Sequence, residues 1–139
     1  MKKLLPLLLV ALLPLHGALA HGGETKGVKV TVVYDQKVPN LPGKSLKGVL
    51  VEYEPGGANA AHYHAKSAMI YATVLEGAIL NQINGGPVRT FSKGQNFTEM
   101  PGDRHDVSAN ASKTEPAKLL AVFIVDTNDS KLTTPIDAQ

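Results

Sequence analysis

The sequence after residue 20 is a series of short β-prone runs divided by turn residues, and this pattern constrains the fold more than any other feature. Residues 28–34 and 46–53 are rich in β-branched and aromatic side chains and are the first two predicted strands. No stretch of this region carries a sustained 3.6-residue apolar period, so an all-β sandwich or barrel is predicted. Further predicted strands lie at 60–65, 69–76, 79–83, 87–92, 96–100, 105–109 and 117–126.

One turn between these runs is especially specific. Asn84-Gly85 stands between two β-prone runs and is a strong signal for a tight hairpin turn, because both residues tolerate a positive φ. Other breaks occur at Gly77, Gly94 and Pro101-Gly102. We therefore expect antiparallel strands joined by short connections.

Residues 1–20 have the composition of a secretory signal peptide. Lys2 and Lys3 precede an apolar stretch from residue 4 to 15, and Ala18-Leu19-Ala20 forms a small-x-small cleavage site. The apolar stretch is shorter than the about 20 residues that span a bilayer. We expect cleavage and export to the periplasm or the outside of the cell, with a retained membrane anchor as the alternative.

The rest of the chain reads as one domain with two polar ends. Residues 21–27 are a predicted flexible tail and residues 28–127 a β-barrel domain. Residues 128–139 are a predicted polar C-terminal tail, which Leu132 and Ile136 could attach to the barrel.

Composition limits the classes of function. The chain has 14 Lys and Arg against 12 Asp and Glu, and loss of Lys2 and Lys3 leaves equal numbers of both signs. There is no basic patch that would indicate nucleic acid or, after signal cleavage, a membrane surface as partner. The chain has no cysteine, which excludes disulfides, thiolate metal sites and cysteine nucleophiles.

Three histidines are the candidate metal ligands. His62 and His64 are two residues apart on a predicted strand, so both side chains point to the same face. Two imidazoles on one face can supply two ligands of a metal site, and His105 is the candidate for the third ligand. Three neutral imidazoles suit Fe, Cu, Ni or Zn, and Mn is a further candidate.

The residues around these histidines carry a family resemblance. Gly56, five residues, His62-Tyr63-His64 and a closing Gly77 form one motif, and Gly94 with Gly102-Asp103-Arg104-His105 forms a second. This pattern resembles the two motifs of the cupin superfamily and covers most of residues 46–126. The resemblance implies a double-stranded β-helix, a jelly-roll-like barrel with the motif histidines inside. By analogy it also suggests a homodimer.

The chain departs from the family motif at one metal-binding position. The family spacing places a glutamate at position 70, where this chain has Ile70, and no acid occurs between His64 and Glu76. The resemblance then implies a three-histidine variant of the site. Alternatively, Glu99 supplies a carboxylate from a neighbouring strand. We favour the three-histidine site, with Glu99 accepting a hydrogen bond from a histidine or bound water.

The function predicted from these features is that of an exported, metal-dependent enzyme. By resemblance to three-histidine cupins, it would act on a small organic molecule in a dioxygenase-like reaction. Glu99 and Tyr71 are the candidate catalytic residues, which would position a proton or a substrate oxygen. The alternative is a non-catalytic cupin that binds a small molecule or a metal, since one fold hosts many functions.

Overall fold

The computed structural model describes residues 24–136, and all regular structure in that range is β-strand. None of these residues forms a helix long and apolar enough to cross a membrane. The prediction of an all-β fold is confirmed, and each predicted strand is present. The strands are β1 Lys26–Lys37, β2 Lys44–Asn59, β3 His62–His64, β4 Met69–Glu76, β5 Ala78–Ile83, β6 Arg89–Ser92, β7 Asn96–Glu99, β8 Arg104–Asn110, β9 Ala117–Asp126 and β10 Thr133–Pro135.

The strands form two antiparallel layers that curl into a nearly closed barrel. One layer has the order β1-β2-β9-β4-β7, and the other has the order β10-β3-β8-β5-β6. The end of β2 crosses between the layers, where Ala58 pairs with Ala109 and Asn59 pairs with Ser108. Long strand β2 therefore holds both layers in one sheet.

The core follows from strict alternation along the strands. On β4, Ile70, Ala72 and Val74 are at most 1% exposed, whereas the residues between them point outwards. Buried and more exposed residues also alternate along β9 and most of β2. The two inner faces together form one apolar core, which comprises Val49, Val51, Tyr53, Ala68, Ile70, Ala72, Val74, Ile79, Phe97, Ala117, Leu119, Ala121, Phe123 and Val125.

The Asn84-Gly85 turn fixes the start of β8. Asn84 and Gly85 have φ values of 52° and 67°, and the Gly86 amide donates to the Ile83 carbonyl, as the sequence predicted for a tight turn. The Asn84 side chain accepts from the Arg104 amide at 2.9 Å and donates to Asp103 at 2.7 Å. The turn therefore holds the residues next to His105.

Both predicted tails differ from the structure at their inner ends. β1 already begins at Lys26, and Thr133–Pro135 forms β10, which pairs with β3. This polar segment is therefore attached to the barrel, and the Leu132 carbonyl and the Ile136 amide on either side of β10 also bond to the backbone next to β3. The physical reason is that β3 needs a hydrogen-bonding partner on its outer edge, and backbone pairing does not depend on apolar side chains. Residues 1–23 and 137–139 lie outside the described range.

Ile79 tests how much the core contributes to stability. It is fully buried in the core, so Ile79→Ala should lower the free energy of unfolding by about 2–5 kcal/mol. Ile124→Ala is the matched control, because Ile124 is 40% exposed on the outer face, and it should cost about 1 kcal/mol or less. Urea unfolding measures both values. Equal losses for the two variants would contradict the assignment of the core.

Candidate metal centre

Strand β3 presents two imidazoles to the barrel interior. His62 is 8% exposed and His64 is partly buried, whereas Tyr63 between them is 43% exposed. The alternation of side chains along a strand accounts for this arrangement. The sequence prediction that both imidazoles share one face is confirmed.

His105 joins them because β8 pairs directly with β3. His105 is the cross-strand partner of His62, which places the two side chains next to each other on one face. A bulge after His105 keeps this orientation, since Ile83 pairs with His105 but Gln82 pairs with Val107. One nitrogen from each of the three histidines lies within 4.8 Å of the others. The predicted convergence of three rings is therefore present.

Backbone carbonyls determine which nitrogens of two rings are free. His62 Nδ1 donates to the Ala60 carbonyl at 2.8 Å, and His64 Nδ1 donates to the Leu132 carbonyl at 3.3 Å. Burial lowers the pKa of His62 to about 4, so this ring is neutral at pH 7. The two Nε2 atoms lie 3.3 Å apart and face the same space.

Glu99 brings a carboxylate to this cluster from the opposite layer. Its Oε2 lies 3.1 Å from His64 Nε2 and 3.1 Å from His105 Nδ1, and the residue is 3% exposed. Burial alone would raise the pKa of Glu99, but the contacts with His105 and His64 outweigh burial and hold it below its usual range. Within the described chain, neither Glu99 Oε2 nor His105 Nδ1 makes a well-aligned hydrogen bond.

This donor set fits a divalent transition metal. Atoms bound at about 2.1 Å to one metal ion lie roughly 3.0–3.4 Å apart. The contact between His62 and His64 and the two contacts of Glu99 are 3.1 to 3.3 Å, and the nitrogens of all three histidines lie within 4.8 Å of one another. The three histidines can thus hold a metal ion, which would lie beside the buried Glu99 Oε2 and His105 Nδ1 atoms that lack a well-aligned hydrogen bond.

Tyr71 does not join this cluster. It lies on β4 between inward-facing Ile70 and Ala72, and its side chain is 46% exposed on the outer face. The prediction that Tyr71 is catalytic is therefore wrong, because the alternation that buries Ile70 turns Tyr71 away from the interior. The predicted catalytic role of Glu99 stays a prediction, although the structure does place Glu99 in the cluster.

The histidines and Glu99 line a cavity of about 130 Å³ inside the barrel. Its other walls are mostly apolar, from Val49, Val51, Leu119, Ala121 and Phe123. The ring of Phe123 lies 5.4 Å from that of His64, edge to face, which limits the motion of the imidazole.

Four polar residues at the site were missed from the sequence. Tyr53 Oη and Ser108 Oγ lie 2.7 Å apart, and Asn59 Nδ2 donates to Tyr53 at 3.2 Å. Asn81 Nδ2 lies 3.1 Å from His105 Nε2. A buried polar residue within an apolar strand, such as Asn81 after Ala78-Ile79-Leu80, is a signal that could have identified one of them.

Several solved structures resemble this one. The Schizosaccharomyces pombe Cnp3 cupin domain aligns with a TM-score of 0.60 at 18% identity, over 76% of this chain and 69% of that chain. An uncharacterized protein with a double-stranded β-helix domain from Klebsiella pneumoniae aligns with a TM-score of 0.58 at 18% identity, over 84% and 92%. These two likenesses show the fold, which agrees with the predicted double-stranded β-helix.

An oxalate oxidase solved in complex with glycolate is more similar in sequence. It is 26% identical with a TM-score of 0.58, over 78% of this chain and 55% of that chain, so this chain spans about half of its length.

No curated protein matches the chain significantly. The family model described as "Cupin domain" matches residues 49–123, more than half of the chain and the part that carries all three histidines. The chain belongs to the cupin family.

Proposed function

We propose that this protein is a metal-dependent enzyme that acts on a small organic acid, with O₂ as the oxidant. The observation that carries the proposal is the convergence of three imidazoles on one point at the wall of an interior cavity. Three protein ligands leave open coordination positions at a metal, which distinguishes a catalytic site from a closed structural one. A bound metal supplies Lewis-acid or redox chemistry to a ligand at those positions.

The size of the cavity suits a substrate of a few heavy atoms. Its volume is about 130 Å³, and an apolar cavity of roughly 150 Å³ accepts a molecule as large as benzene. Glycolate, which is bound in the similar oxalate oxidase, is smaller than that limit. A short carboxylic acid therefore fits both the volume and the positive charge that a metal would bring.

The walls of the cavity would orient such a molecule. The Tyr53, Ser108 and Asn59 cluster offers hydroxyl and amide groups on one side, and burial raises the pKa of Tyr53 to about 12, so the phenol keeps its proton. The apolar side chains opposite exclude water from the reacting atoms. Binding, orientation and water exclusion are the contributions of the chain itself.

Removal of one histidine tests the metal site and the reaction together. His62→Ala and His105→Ala should each lower the affinity for a divalent metal by at least about 100-fold, since loss of a direct ligand exceeds the effect of outer-shell changes. O₂ consumption with oxalate or glycolate should fall to background in both variants. Elemental analysis and an oxygen electrode measure the two quantities, and Tyr71→Phe on the outer face is the control that should behave as wild type.

Two outcomes would contradict the proposal. Wild-type protein that carries and accepts no metal would remove the basis for the three-histidine site. Tight binding of metal and small acids with no turnover under any of the candidate metals would make the protein a binding module instead of an enzyme.

Strand β10 and Leu132, the residue before it, support the site in two ways. The Leu132 carbonyl orients the His64 ring, and the side chains of Thr133 and Pro135 line the cavity. β10 also covers the outer edge of β3, where Thr133 pairs with His64 and Pro135 pairs with His62. The C-terminal segment is thus part of the metal site and of the cavity wall.

Truncation tests the role of β10. A chain that ends at Ser130 keeps the hydrogen bond between Ser67 and Asp129 but lacks β10, so its metal affinity should fall by about 10–100-fold, the range for loss of an orienting partner. A chain that ends at Ile136 retains β10 and is the control. Competition with a chelator measures both affinities, and equal values would show that β10 does not orient His64.

We further propose that the protein is exported, on the basis of the signal-like residues 1–20. The expected result is a mature chain that begins at His21 in the periplasmic or extracellular fraction, which N-terminal sequencing detects. A variant that lacks residues 2–20 should stay in the cytoplasm. A wild-type chain recovered from the cytoplasm with residues 1–20 intact would refute export.

A further inference from the structure

Ile70 and Glu99 are directly opposed on neighbouring strands. Ile70 on β4 pairs with Glu99 on β7, and both side chains are buried on the inner face. Side chains that oppose each other across an antiparallel pair begin about 5 Å apart and project into the same region. A carboxylate at position 99 therefore reaches the volume that a glutamate at position 70 would reach.

Position 70 is where the cupin motif spacing places a glutamate, and this chain has an isoleucine there. The carboxylate is missing from one strand and present at the cross-strand neighbour. The register of the two strands thus places the carboxylate of Glu99 next to the position where the family has its glutamate carboxylate.

The Glu99 carboxylate lies as close to the imidazole nitrogens as a direct metal ligand would. Its Oε2 is as close to His64 Nε2 as to His105 Nδ1, at 3.1 Å from each. His64 Nδ1 is taken up by the Leu132 carbonyl, so the nitrogen that faces Glu99 is Nε2. One carboxylate oxygen and two imidazole nitrogens thus meet at 3.1 Å, a spacing that suits atoms bound to one metal ion.

The burial of Glu99 leads to the same conclusion. The residue is 3% exposed, and within the described part of the chain its charged contacts are with histidines alone, with no Lys or Arg among them. A carboxyl group buried this deeply needs a polar or cationic partner. A divalent metal held by the three imidazoles would be such a partner.

We propose that Glu99 is the fourth protein ligand of the metal and takes the place of the glutamate that Ile70 replaces. This inference rests on the proposed metal site and deepens it. A ligand role takes the place of the catalytic role predicted for Glu99. The carboxylate adds a hard oxygen donor to three nitrogens, which favours Mn(II) or Fe(II) more than three imidazoles alone would. These metals take six ligands, so four protein ligands would still leave two positions open for substrate and O₂.

The first test compares two Glu→Gln variants with Mn(II) and Co(II) as probes. Glu99→Gln should lower Mn(II) affinity by more than about 100-fold, beyond the range for outer-shell partners, and should shift the visible absorption bands of bound Co(II). Glu76→Gln is the matched control, because Glu76 is half exposed at the end of β4 and pairs with Lys118. It should leave both readouts unchanged.

The absorption bands of Co(II) decide the result, because they depend on the atoms bound to the metal. Bands in Glu99→Gln identical to those of wild type would overturn the ligand role, whatever the change in affinity. If wild type binds metal and only this comparison fails, the three-histidine site stands without Glu99. If wild type binds no metal, the proposed function itself fails.

The second test exchanges the cross-strand pair. Glu99→Ile alone should lose Mn(II) affinity as Glu99→Gln does, and the double variant Ile70→Glu, Glu99→Ile should return to within about tenfold of wild type. The double variant keeps one isoleucine and one glutamate at the paired positions, so the composition of the core is unchanged. It therefore remains a valid test if Glu99→Gln does not fold. A double variant that binds Mn(II) as weakly as the single one would contradict the claim that the two positions share one place around the metal.

Discussion

The site depends on four polar groups that are buried at one point of the barrel. Two imidazole nitrogens lie 3.3 Å apart, and a carboxylate oxygen lies 3.1 Å from one of them. Electrostatic interactions between buried groups are stronger than those at a surface, because water screens them less. A divalent cation bound between these groups would hold all of them as ligands.

The residues of this cluster come from both layers of the barrel. The three histidines come from the paired strands β3 and β8, and Glu99 comes from β7 in the other layer. A metal bound between them would connect the two layers where the chain provides no disulfide. Metal binding would therefore also stabilise the folded state, since the unfolded chain has no such site.

Most of the fold could be predicted because it follows from short-range periodicity, whereas His105 and Glu99 were candidates because of their chemistry and the motif resemblance. Alternation predicted the strands and the common face of His62 and His64. The same alternation, applied to Ile70, would have shown that Tyr71 points outwards, so that error was avoidable. β10 could not be predicted, because a three-residue strand in a polar segment has no apolar period, and its pairing depends on an edge that β3 leaves open.

The class of fold, the hairpin turn at Asn84-Gly85 and the set of available ligand side chains follow from the order of the residues alone. The contact of Glu99 with the histidines and the orientation of His64 by the Leu132 carbonyl exist only in the folded barrel. Local periodicity sets the face on which a side chain lies. The distances between side chains on different strands depend instead on the pairing register of those strands. That register is set only when the whole barrel has formed.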